Sequence, residues 1–227
     1  MDQDPVRDPF PLHTAARLGQ DYDGRYPIHW AASSNTLAIV VLLACQDSFD
    51  PDVQLILPAQ DDSGWSPLMI SASVPDSEPV LKTLLQKGAD VNEKNNSSQS
   101  ALHFVASKKN LDVARLLLGA KPPASTRVRD NRGQYPIHRA AAVGSVPMIR
   151  LLLQSNSPIN AADVEGFTPL HHAIAEGHGD AAVVLLEKGA DFTVKNSDGE
   201  LALDLAPDKE ANAGVVVQTA AVLSSLK

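Results

Sequence analysis

The sequence is poor in cysteine, in aromatic rings and in long apolar runs, and each shortage excludes something. Its one cysteine, Cys45, permits no intramolecular disulfide, which removes the stapled secreted scaffolds. Aromatic residues are only 4% of the 227, low for a compact enzyme core and better matched to helices packed through Ala and Leu. The longest apolar run, Leu37 to Cys45, is nine residues, against the ~20 that a membrane-spanning helix needs. The opening MDQDPVRDPF is acidic where a signal peptide starts basic. A soluble protein of a reducing compartment is expected. Catalytic signatures are missing as well. No G-x-S-x-G elbow, GxxxxGK[ST] phosphate loop, GxGxxG turn or HExxH pair occurs. Cys45 has no basic neighbour in sequence to draw out a thiolate. No enzyme activity, cofactor or metal is expected.

The chain does hold ample core-forming residues, 44% hydrophobic against 20% charged. Its charge is unevenly spread. Residues 1–100 carry 14 acids and 6 bases, residues 101–150 carry 2 and 9, and residues 151–227 carry 11 and 4. In an elongated chain these blocks form an acid–base–acid stripe that would orient a protein partner of opposite pattern. Chance clustering on a solvated surface is the alternative.

A repeat near 33 residues organises everything else. GRYPIHWAA, GWSPLMISA, SQSALHFVA, GQYPIHRAA, GFTPLHHAI and GELALDLAP align, with their fourth residues at Pro27, Pro67, Ala101, Pro136, Pro169 and Ala202. The intervals are 40, 34, 35, 33 and 33 residues. Each unit continues into a second apolar segment, such as LDVARLLLGA or DAAVVLLEKGADF. This is the ankyrin signature, a β-turn finger and two antiparallel helices with T-P-L-H-x-A opening the first. The expected fold is all-α, an ankyrin-repeat solenoid of about six to seven repeats with β-turn fingers. Gly24, Gly64, Gly133, Gly166 and Gly199 fall where the finger needs positive φ. The prolines open helices where no hydrogen bond is lost. The pairs Ala31-Ala32 and Ala140-Ala141 allow close helix approach, and the Leu pairs of the second helices supply the shared core.

The register divides the chain into a truncated N-terminal capping repeat (1–20), repeats over 21–61, 62–94, 95–128, 129–162 and 163–195, and a C-terminal capping repeat (196–227). The 40-residue interval leaves Gln46 to Asp61 as an enlarged finger, and KPPAS (121–125) stiffens another connection. Phe10 to Gly19 reads as a first helix without its second, so residues 1–20 are expected to be weakly anchored. Gly214 to Leu226 reads as a capping helix.

Five histidines, His13, His29, His103, His138 and His171, recur in the same slot, one per repeat. That recurrence marks a structural role, a hydrogen bond to the adjacent loop backbone. Stacked repeats lie ~10 Å apart, too far for these side chains to share one ion. His172 and His178 break the pattern and read as surface contacts. Arg127, Arg129, Arg132 and Arg139 form a basic block, but aromatic interleaving is confined to Tyr135 and the flanks are acidic, so nucleic acid is not expected.

What remains is a protein-binding surface on fingers and first helices. Residues flanking the finger glycines are expected to point outward: Asp23 and Arg25, Asp62, Ser63 and Trp65, Arg132 and Gln134, Glu165 and Phe167, Asp198 and Glu200. First helices add Trp30, Arg139, Glu176 and His178. Aromatic and arginine side chains are the usual interface anchors. Trp30 fits a contact role or packing within its repeat equally well, whereas Trp65, in a finger, has little core to enter.

The strings DYDGRYPIHWA, QDDSGWSPLMIS, YPIHRAAAVGS and AIAEGHGDAAVVLLE resemble gankyrin and its fungal orthologues, from about Tyr22 to Leu226. The resemblance implies a cytoplasmic and nuclear assembly chaperone of the 26S proteasome, monomeric when free. It would bind the C-terminal domain of one ATPase subunit (the third of six) of the regulatory-particle base while the ring forms. The matching residues are Asp23, Arg25, Trp30, Asp62, Trp65, Arg129, Arg132, Arg139 and Glu176, with Ser63 and His178 adjoining them. The short first unit departs from the family. So does Leu43-Ala44-Cys45-Gln46-Asp47, which is no match for the animal member's Leu-x-Cys-x-Glu motif. A general ankyrin adaptor for an unrelated signalling or transcription partner would share the same frame.

Overall fold

The structure, a computed structural model, describes residues 21, 23–44 and 60–207. The truncated opening unit, the helix at Phe10 to Gly19, Cys45, most of the enlarged finger and the helix over 214–226 lie outside the described residues. Among those described are ten α-helices: α1 (Pro27–Ser33), α2 (Leu37–Ala44), α3 (Pro67–Ser73), α4 (Glu78–Gln86), α5 (Ala101–Lys108), α6 (Leu111–Leu118), α7 (Pro136–Ala142), α8 (Val146–Gln154), α9 (Pro169–Ala175) and α10 (Gly179–Glu187). A 3-10 turn spans Ala202–Leu205. All six residues that set the sequence period stand at the first position of a first helix or of this turn.

The chain divides into two compact units at Asn96/Ser97. In the first, α1 packs on α2 and α3 on α4, and the pairs stack α1 on α3 and α2 on α4. In the second, the pairs α5/α6, α7/α8 and α9/α10 stack in the same way, with the 3-10 turn against α9. First helices meet through residues too small to hold them apart. Ala31, Ala32, Ala140, Ala141 and Ala173 are all fully buried. Second helices present one apolar stripe each, with Val80, Leu81 and Leu84 on α4, Val113 and Leu117 on α6, and Met148, Ile149 and Leu152 on α8 inaccessible to solvent. No pair of helices covers its own apolar face, so each unit's stability rests on the contacts between neighbouring repeats.

The fingers explain the glycine at their tip. Gly24, Gly64, Gly133, Gly166 and Gly199 adopt φ between 70° and 82°, a left-handed backbone that costs other residues energy. Space is the second constraint. A Cβ on Gly64 would lie 2.6 Å from the Asn96 amide nitrogen, and one on Gly166 would lie 2.7 Å from that of Ser197. The approach is close because successive fingers are hydrogen-bonded to each other. The amides of Asp62, Asn96, Asn131, Val164 and Ser197 donate to the carbonyls of Asp23, Ser63, Ser97, Arg132 and Glu165, at 3.0–3.1 Å.

The recurrent histidine ties finger to helix. At His29, His103, His138 and His171, ring Nδ1 accepts the amide N–H of the residue before the helix, at 3.0–3.2 Å. The ring plays the part of the acidic residue in a capping box. With Nδ1 accepting, Nε2 carries the hydrogen and donates onward: His29 to the Trp65 carbonyl, His103 to Gln134 and His138 to Ala161, at 3.0–3.1 Å. These imidazoles are neutral structural struts. Burial lowers His103 and His171 below the ordinary histidine range, and burial reinforced by the adjacent His172 pushes His138 down to about 4.

Acid should therefore loosen the fold as pH falls below the ordinary histidine range. A base whose folded pKa is depressed lends its stability fully above the unfolded value, near 6.5, and loses it as pH falls toward the folded value. For His138 this amounts to about 2 kcal/mol lost between pH 7 and 5. Urea midpoints measured across that range should fall with pH, and His138→Asn should flatten the dependence. An unchanged slope in the variant would remove His138 as its source.

Candidate functional site

Five of the described fingers are built on one acidic or amide side chain placed three residues before the tip glycine. Oδ1 of Asp21, Asp61, Asp130, Asp163 and Asn196 accepts two backbone N–H groups, from residues two and four further on. Their distances run from 2.8 to 3.1 Å. Asp61, Asp130 and Asp163 are buried, their side chains 1–3% exposed. A buried carboxylate also needs a donor on its second oxygen. Asp21 Oδ2 receives the Trp30 indole N–H at 2.8 Å, Asp130 the Arg139 guanidinium at 2.8 Å, and Asp163 the His172 Nε2 at 2.9 Å. All three donors stand nine residues after their aspartate. Burial alone would raise Asp130 and Asp163. The side-chain and backbone hydrogen bonds they accept outweigh it and hold both below the usual carboxylate range.

In the Asp61 repeat that ninth position is Ile70, which has no polar hydrogen to give. Arg25 supplies the bond from the preceding finger, Nε to Oδ2 at 3.2 Å. Its guanidinium also lies over the Trp30 ring, 5.2 Å from the centroid. Asp21, Trp30, Arg25 and Asp61 thus form one chain of contacts across two fingers. Gln134, the residue matching Arg25, reaches forward in the same way and donates to Asp163 Oδ2 at 3.1 Å.

These bonds revise the expected orientation of the fingers. The residue before each glycine does face solvent: Asp23, Ser63, Arg132, Glu165 and Asp198 are exposed. The residue after it turns toward the protein. Arg25, Trp65 and Phe167 are half-buried, and Gln134 is only 5% exposed. Only Glu200 stays outside. The left-handed φ of the tip glycine turns the chain between its two neighbours, and Asp61 and Asp163 draw the second of them, Arg25 and Gln134, inward. His172 is likewise no loose surface group, being committed to Asp163 and set edge-on to His138 at 5.7 Å. Asp61, the last residue of the enlarged finger expected from sequence, is buried.

The candidate contact residues fall into three groups. In the first unit, Asp23, Asp62 and Ser63 are exposed beside the half-buried Arg25, Trp30 and Trp65. The Asp62 amide donates to the Asp23 carbonyl at 3.0 Å, so these two acids share one finger edge. In the second unit, Arg129 and Arg132 are exposed on one finger, Arg129 Nε donating to the Gly133 carbonyl at 3.2 Å. Arg139 beneath them is 24% exposed and bound to Asp130. Exposed Glu176 caps the far end of α9, and His178 begins α10 against Gly144. They stand across the helix's length from the finger, about 10 Å for seven residues. The finger arginines and the Glu176–His178 turn are therefore separate patches. Among the described residues no three His, Cys, Asp or Glu side chains converge on a metal-sized site, and no helix is long and apolar enough to cross a membrane.

Comparison with known proteins agrees with this geometry. The family described as ankyrin repeats (3 copies) matches residues 3–95, 53–126 and 102–196. The chain is 39% identical over 198 residues to the probable 26S proteasome regulatory subunit p28 of Saccharomyces cerevisiae, covering 85% of this chain and 83% of that protein. It is also 39% identical over 193 residues to the ankyrin repeat-containing protein C6C3.08 of Schizosaccharomyces pombe, covering 83% of this chain and 79% of that one. The human SH3 and multiple ankyrin repeat domains protein 2 is 31% identical, over 63% of this chain but 8% of its own length. Repeats shared with so large a protein account for the frame alone, whereas the two yeast relatives match over 79–85% of both chains. The chain belongs to the ankyrin-repeat proteins and, among them, to the gankyrin family that includes yeast p28.

Proposed function

We propose that this protein is a non-enzymatic chaperone for assembly of the proteasome regulatory-particle base, gripping the C-terminal domain of one ATPase subunit through its fingers and first helices. The observation that carries the reading is its 39% identity to a probable 26S proteasome regulatory subunit along 85% of the chain. The exposed residues supply a chemistry for it. Asp23 and Asp62 offer an acidic edge beside two half-buried indoles, which suits a basic, partly apolar patch on the partner. Arg129 and Arg132 offer a basic edge for an acidic one. The grip is steric and non-covalent. Chaperone bulk keeps the ATPase from docking on the proteolytic core, and the same clash drives release once the ring is complete. The free protein is a monomer of cytoplasm and nucleus.

Quantitative pull-down from yeast extract, comparing the wild-type chain with Asp62→Arg/Trp65→Ala, tests this reading. Base ATPases should be enriched with the wild type, and the variant should lose several kcal/mol of affinity if these residues are central anchors. Absence of those ATPases from the wild-type capture would count against the assembly role. Equal capture by the variant would move the contact to other fingers.

A further inference from the structure

The fingers obey a pairing rule that singles out one side chain. Where the residue nine positions on can donate, the finger holds an aspartate: Asp21 with Trp30, Asp130 with Arg139, Asp163 with His172. Where that residue is apolar, the finger holds an asparagine, as Asn95 with Phe104 and Asn196 with Leu205. An amide brings no charge to be compensated, so the rule follows from the cost of burying a lone carboxylate. Among the described fingers Asp61 alone breaks it, because Ile70 cannot donate and Asp61 is nevertheless ionisable and buried. The exception is made good from outside the repeat, by Arg25.

We infer that Arg25 is a positioning residue for the finger that presents Asp62, Ser63 and Trp65, acting through Asp61 rather than by touching the partner. Asp61 Oδ1 holds the Ser63 and Trp65 amides at 3.0 and 2.8 Å, and it can do so as a carboxylate only while Oδ2 is compensated. Removing Arg25 leaves an unpaired buried charge, which is relieved by opening the finger to water. That opening slackens the two amides and the residues they place. The Arg25 guanidinium, with its Nε committed to Asp61 and its face against Trp30, is tied into the protein at both ends.

The rule supplies its own rescue variants. Ile70→Arg puts a donor in the slot that Arg139 fills for Asp130, at a position that, like Arg139, is half-buried. Asp61→Asn copies Asn196, whose Oδ1 accepts the same two amides without a charge. The experiment measures hydrogen exchange of the Ser63 and Trp65 amides in the full chain, together with affinity for the purified proteasomal ATPase C-terminal domain. The affinity arm rests on the chaperone reading above, and the exchange arm does not.

Arg25→Ala should speed exchange at both amides by about tenfold to a hundredfold, as loss of a charge-assisted bond implies. The Arg132 and Gln134 amides, held by Asp130, should be unaffected. Adding Ile70→Arg or Asp61→Asn to Arg25→Ala should restore protection and affinity together. Unchanged exchange in Arg25→Ala would overturn the inference. So would rescue variants that recover protection while affinity stays at the Arg25→Ala level, since Arg25 would then be a direct contact. Wild-type chain that binds no ATPase domain would sink the chaperone reading and leave the exchange comparison to decide the role of Arg25. Should Ile70→Arg not fold, the Asp61→Asn pair decides alone.

Discussion

Replacing Arg139 by leucine is expected to destabilise the second unit by about 3 kcal/mol, most of which should return when Asp130 is changed to asparagine in the same chain. The single variant strands a carboxylate whose side chain is 1% exposed and whose guanidinium partner sat 2.8 Å away. Removing one member of a buried pair costs far more than the pair is worth, because the remaining charge is neither solvated nor matched. The double variant has no charge to strand. Asparagine at position 130 can still accept the Arg132 and Gln134 amides through Oδ1, as Asn196 accepts those of Asp198 and Glu200. Leucine at position 139 then matches Leu205, the apolar residue nine positions after Asn196. Urea unfolding of wild type, both single variants and the double variant forms a cycle whose coupling term should be about 2 kcal/mol. Additive losses would mean that the two side chains stabilise the fold separately, and the pairing rule would lose its energetic basis.

A second pair of variants separates backbone strain from collision. Gly166 and Gly199 have nearly the same backbone, φ 82° and 81°. They differ in what stands beside them. A Cβ on Gly166 meets the Ser197 amide nitrogen at 2.7 Å, while one on Gly199 meets nothing within 4 Å. Gly199→Ala should therefore cost only the left-handed strain, roughly 1 kcal/mol. Gly166→Ala bears the same strain and must also push back the next finger, breaking the hydrogen bond from the Ser197 amide to the Glu165 carbonyl. Its cost should be about 2–3 kcal/mol. Thermal or urea unfolding would read the difference. Equal costs would show that neighbouring fingers yield to one another and do not hold one another in place.

The helical frame was legible because its signals are local. Proline at the first helical position, histidine two residues later and glycine at the finger tip each answer a backbone requirement within a few residues, and the structure puts all three where the period does. The charge chemistry of the fingers was not legible in the same way. An aspartate three residues before a glycine looks like an ordinary solvated turn. Its burial depends on the neighbouring repeat, which a single repeat's sequence cannot display. The signal was present nonetheless as a correlation at distance nine, aspartate with Trp30, Arg139 or His172 and asparagine with Phe104 or Leu205. Reading both glycine flanks as outward missed it, since that assigned Arg25 and Gln134 to solvent when they reach inward to Asp61 and Asp163. The tryptophans show the limit from the other side. Trp30 fitted contact or packing equally well by sequence, and in the structure its indole both bonds Asp21 and keeps part of its surface exposed.

These placements sort the candidate contacts. Asp23, Asp62, Ser63, Arg129, Arg132 and Glu176 are exposed. Arg25 and Arg139 are tied to buried carboxylates, and a variant at either changes the scaffold as well as the surface. Loss of binding in such a variant cannot be read as loss of a contact unless the matching aspartate is neutralised too.

The most direct measurement is titration calorimetry of the full chain against the purified C-terminal domain of each of the base ATPase subunits in turn. The account predicts saturable one-to-one binding to a single one of these domains, weakened by salt because exposed carboxylates and guanidinium groups carry part of it, and lost in Asp62→Arg/Trp65→Ala while the unfolding midpoint is retained. No heat with any of the domains, or binding indifferent both to salt and to that variant, would contradict it.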